Sequence, residues 1–111
     1  MTYNPANEYT NEGGLIFTTD PNHVDAMPLI RSTAAKYGQD PMAMWALFGA
    51  VTCEVDVPLI TLKKGWVGGY RPDDAAKVVA GVDRYMTDPT YRPAVEAAKQ
   101  ARQAKVLADH K

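Results

Sequence analysis

The longest unbroken apolar stretch runs from Met42 to Cys53, with no charged residue and a single hydroxyl, at Thr52. A helix that is apolar all the way round has no face to give to water. The stretch therefore predicts a central helix over about 41–54, covered by the rest of the domain or by another chain. A bilayer-crossing helix needs about 20 apolar residues, so this one is too short to span a membrane.

Around it the hydrophobic spacing predicts further helices. Leu29, Ile30, Ala34 and Tyr37 share one face, leaving Arg31, Ser32 and Lys36 outside. Asp25 is the expected cap, with Pro28 inside the first turn and Gly38 as the stop. Ala75, Val78, Val79, Val82, Tyr85 and Met86 repeat the pattern over 72–87, with Asp73 and Asp74 placed where the helix dipole favours negative charge. A terminal helix over about 89–109 carries a stripe of small residues that includes Ala97 and Ala101. Asp followed by Pro is a helix-start signal: Asp accepts an orphan amide and Pro has none to leave unpaired. It occurs at Asp20-Pro21, Asp40-Pro41 and Asp88-Pro89, with a variant at Arg71-Pro72-Asp73-Asp74.

Two short β-prone runs remain, Leu15–Thr19 and Val57–Leu62, each too short to stand alone. Pro58 restricts the second to an edge or a strand start, and the two runs together suggest at most a two-stranded ribbon. Residues 1–14 are polar, show no periodicity and end in Gly13-Gly14, so an extended or mobile arm is expected, with Tyr3 and Tyr9 as anchors. The expectation is a mainly α fold: about four helices bundled around the central one, forming a single domain over 15–111.

Composition adds bounds. The chain has 111 residues, is 46% hydrophobic and 23% charged, and carries a formal net charge of −1. Those are globular proportions, with no global field to draw in nucleic acid or an anionic membrane. The lone Cys53 has no disulfide partner within the chain. The N-terminus lacks a basic region followed by an apolar run, so no secretory signal is expected. A cytoplasmic setting, or the inside of a particle assembled there, fits these features.

Catalytic chemistry is thinly represented. His23 and His110 lie near opposite ends, and no Cys/His set has metal-ligand spacing, so neither metal nor cofactor is expected. A Cys53–His23 nucleophile pair would put a thiolate in the most apolar helix, where desolvation opposes it. Glu54 and Asp56 mark either a cation site or the emergence of the chain into water. Residues 34–47 have the outline of a helix-turn-helix, but the second helix lacks the cations that phosphate contacts require.

The segment from Lys63 to Arg71 combines three glycines, two aromatics and three cations. Read as a loop, it offers Lys63, Lys64, Trp66, Tyr70 and Arg71 for a partner or ligand, with stacking on the rings and anion capture at the cations. The opposing account has Trp66 and Tyr70 plugging the loop onto the core. The leading functional expectation is a small non-catalytic interaction or assembly subunit, of a bacterial or phage complex for instance. Its contacts would be with itself or another protein through Tyr3, Tyr9, Met42, Trp45, Ala97 and Ala101. A nucleic-acid or anion-binding module using the 63–71 loop is the alternative, and an enzyme the weakest reading.

Overall fold

The computed structural model describes residues 2–109; Met1, His110 and Lys111 lie outside them. The chain forms strands β1 (Glu8–Thr10), β2 (Ile16–Thr18) and β3 (Val24–Asp25), then helices α1 (Ala26–Tyr37) and α2 (Pro41–Val55). Strands β4 (Ile60–Leu62) and β5 (Val67–Tyr70) follow, and helices α3 (Pro72–Thr87) and α4 (Arg92–Asp109) complete it. Single 3-10 turns at Pro5–Asn7 and Pro89–Tyr91 precede β1 and α4.

The strands make one five-stranded mixed sheet in the order β1-β2-β4-β5-β3. β2 and β4 run parallel, pairing Phe17 with Thr61, while the other three pairings are antiparallel. The fold is therefore α/β, four helices with a five-stranded sheet, and the expectation of an all-α bundle with at most a two-stranded element is overturned. The β-prone runs do pair, but inside a wider sheet whose other strands leave no signal in the sequence. β1 lies in the polar segment expected as an arm, β3 has two residues, and β5 is Val67-Gly68-Gly69-Tyr70, which reads as a loop. Parallel partners need a long crossover, and residues 19–59, including β3, α1 and α2, supply it.

The helix signals hold better. Asp25 and Asp40 cap α1 and α2 by accepting from backbone amides, and Gly38 ends α1 in the left-handed region. Asp20-Pro21 starts no helix. The Asp20 carboxylate instead accepts from the amides of Asn4 and Asn22 and from Asn7 Nδ2. It thereby ties the N-terminal segment to the turn before β3, and these donors, chiefly the Asn4 amide, lower its pKa.

α2 is the hub of the core. Met44, Phe48, Ala50, Val51 and Thr52 are buried against Ile30 and Ala34 of α1, Val78 and Val82 of α3, Val95 of α4 and Tyr70 of β5. Thr52 Oγ1 and the Tyr70 hydroxyl share a buried hydrogen bond of 2.8 Å, joining helix to sheet. At the other strand pair, a Cβ on Gly69 would come within 2.0 Å of the Val24 carbonyl oxygen. Only glycine allows β3 to close onto β5 there.

α2 is nevertheless not covered on every side. Met42 is 68% and Trp45 56% exposed. α4 is docked near its start, through Tyr91 just before it and Val95, whereas residues 101–108 are all exposed. No helix among the described residues is long and apolar enough to cross a membrane.

Candidate functional site

The structure divides the five candidate residues of the 63–71 segment into two groups. Tyr70 belongs to the core. Arg71 turns to Glu8, donating from Nε and Nη2 at 2.7 Å each, and lies 3.7 Å from Asp74. Tyr3 donates to the same carboxylate at 2.6 Å. The Arg71 guanidinium holds Glu8 below the usual carboxylate range, while burial and then Glu8 push the Tyr3 phenol up. Arg71 and Tyr3 are thus engaged within the chain and tie β1 to the start of α3.

Lys63, Lys64 and Trp66 remain at the exposed turn between β4 and β5. Trp66 is 71% exposed, yet its indole meets the Phe17 ring edge-on with centroids 5.2 Å apart. Tyr9 stacks on the same ring at 5.5 Å, and Lys63 Nζ sits 5.5 Å from the Tyr9 centroid. Cross-strand pairing of Tyr9 with Phe17 in the β1–β2 ladder creates this cluster. Phe17 is not among the residues that sequence reasoning singles out, because a three-residue strand is too short to reveal which side each residue faces.

The interface candidates also separate. Tyr3 is held by Glu8, and Tyr9 belongs to the aromatic cluster. Met42 and Trp45 stand exposed on α2, as do Ala97 and Ala101 on α4. Trp45 borders a cleft of about 470 Å³ between the sheet, α1 and α2. Leu15 and Leu59 flank it at 54% and 59% exposure, with Phe48, Cys53 and Tyr70 among its walls. Both leucines sit one residue ahead of a strand, beside Gly14 and Pro58. Only the parallel β2–β4 pairing, in which Ile16 matches Ile60, brings them together.

Arg102 of α4 borders this cleft and two neighbouring hollows. One is lined by Cys53, Asp56, Ala98, Ala101, Lys105 and Val106, the other by Gln103, Val106 and Leu107. The groups with catalytic potential lie apart. His23 donates through Nε2 to the Ile60 carbonyl at 2.7 Å. Glu54 accepts from the Tyr91 hydroxyl, and burial together with that carboxylate pushes the phenol up to about 12. Asp56 ends α2 in the left-handed region. Among the described residues no cluster of three His, Cys, Asp or Glu side chains could hold a metal ion.

Comparison with protein-family models, curated proteins and solved structures gives no match to this chain.

Proposed function

We propose that the protein is a small assembly subunit that pairs with a second copy of itself through the Trp45 cleft and the exposed end of α4. One observation carries the reading: three large apolar side chains, Leu15, Trp45 and Leu59, are each more than half exposed around a single cleft. Contiguous exposed apolar surface of this kind usually marks an interaction site. The occupant follows from continuity. Arg102 borders both the cleft and the hollow beside Val106 and Leu107, so groove and unpartnered helix end form one surface. A two-fold interface needs such a self-complementary patch, in which each copy offers the element that the other receives. The charges agree, since Arg102 and Lys105 lie across a hollow from Asp56 and can meet the partner's carboxylate as readily as their own.

The test is the solution mass of the chain and of the Trp45→Glu and Leu107→Glu variants, by size-exclusion chromatography with light scattering. A dimer in the parent and a monomer in both variants, with thermal melts of the variants showing a retained fold, supports the reading. A parent that is monomeric at its highest soluble concentration overturns it, as does a dimer indifferent to both substitutions.

A further inference from the structure

The turn at residues 63–66 shares no residue with the cleft, and its construction is unusual. The chain reverses there with Gly65 at φ 82° and Trp66 at φ 56°, closed by a hydrogen bond from the Trp66 amide to the Lys63 carbonyl. Glycine enters the left-handed region without penalty, but a bulky residue does not, and backbone outliers of this kind gather at binding sites. The strained residue is also the most exposed large hydrophobic side chain described, at 71%. Burial therefore does not explain why a tryptophan stands there. The indole packs at a right angle on Phe17 while most of its surface stays open.

The surroundings specify the ligand. Tyr9, 40% exposed, rests on the other contact of the same Phe17 and adds a second ring within 5.5 Å of it. Lys63 reaches over Tyr9, and Lys64 is exposed beside it at the turn. Neither lysine forms an ion pair with a carboxylate among the described residues. Glu8, on β1 beside Tyr9, is already bridged to Arg71, and Asp20 accepts from three donors. The open indole of Trp66, beside two lysines without carboxylate partners among the described residues, selects a partner that is both planar and anionic.

We infer that Tyr9, Lys63, Lys64 and Trp66 form a stacking site for single-stranded nucleic acid, with a base on the Trp66 indole, phosphates at the two lysines, and Tyr9 holding Lys63 in place. Single strands fit because a base must leave its stack to lie on a ring at a turn tip, and stacking of this type tolerates every base. The match is modest, with two phosphate contacts, which agrees with a chain whose net charge is −1.

The experiment is a fluorescence-anisotropy titration of labelled oligothymidylate of roughly 4–16 nucleotides, the span of single-strand sites. It is run on the full chain between about 50 and 200 mM salt, with the matching duplex in parallel. The expected result is binding to the single strand in preference to the duplex. The slope of log K against log salt should be about −1.4, from about −0.7 for each lysine. Trp66→Ala should weaken binding about five-fold or more, and Trp66→Phe should recover most of that loss. The Lys63→Gln/Lys64→Gln double variant should flatten the salt slope toward zero, and it carries the test if Trp66→Ala fails to fold. Absence of binding at the lowest salt overturns the proposal. So do equal affinity for duplex and binding that neither the Trp66 nor the lysine substitutions change.

Discussion

Two apolar clusters meet the same sheet and differ in how they are closed. The larger gathers α2, α1, α3, Val95 and Tyr70 around Val51, which is fully buried. The smaller consists of Phe17 with Tyr9 on one contact and Trp66 on another, and only Phe17 is buried. In the first, four helices supply the covering atoms. In the second, the covering groups are themselves exposed rings on an edge strand and a turn. The contrast teaches that burying a side chain and removing a surface from use are separate matters. The large cluster contributes stability, whereas the small one uses two aromatic side chains to bury one and leaves most of the Trp66 indole free.

The contrast breaks most visibly under truncation. Phe48→Ala, in the large cluster, should cost about 3–5 kcal/mol, because interlocked helices cannot collapse into the cavity. Phe17→Ala should cost less, about 3 kcal/mol at most, since Tyr9 and Trp66 can fold inward over the gap. Urea denaturation of both variants measures the difference, and equal costs would mean that the small cluster is as rigid as the large one.

The next effect tests what pins β1, and with it Tyr9, in place. Glu8→Gln removes the charged acceptor of Arg71's two hydrogen bonds, leaving only the longer pair with Asp74, and should cost about 1.5–3 kcal/mol, read by the same denaturation. The sign with pH follows from the depressed Glu8 pKa. Its contribution is complete above the unfolded value near 4.5 and is lost as pH falls through the lower folded value. Asp20, and Asp83 of α3, which accepts from the Tyr37 hydroxyl and Lys36 of α1, are depressed too and act in the same direction. Acid titration of stability should therefore be shallower in Glu8→Gln than in the parent, but not flat.

The smallest effect isolates the backbone of the turn. Trp66→Ala and Trp66→Gly remove the same ring, but alanine keeps the left-handed φ penalty and glycine does not. The glycine variant should melt higher, by about 1 kcal/mol of stability at the transition. Equal melts would show that the turn relaxes once the indole is gone, and that the ring, not the ladder, imposes its shape.

Several features follow from local chemistry alone. Asp caps, a Gly stop and a 3.6-residue period act within a few residues, so α1, α2 and α3 are legible, with the inward faces of α1 and α3 marked by Leu29, Ile30, Ala34, Val78 and Val82. An apolar segment as long as Met42–Cys53 has to be a core helix. Tertiary structure alone decides the sheet. Strands of two to four residues hold too few positions for alternation to show, and their stability comes from partners distant in sequence, as with Phe17 and Thr61 or Val24 and Tyr70. The same long-range pairing turns Tyr70 and Arg71 from loop candidates into a core residue and an internal ion pair. It leaves Trp66 outside, and it brings Leu15 and Leu59 to one cleft. Local signals give a helix its place because its hydrogen bonds close on themselves, whereas a strand and the surface it builds exist only once the chain has folded back on itself.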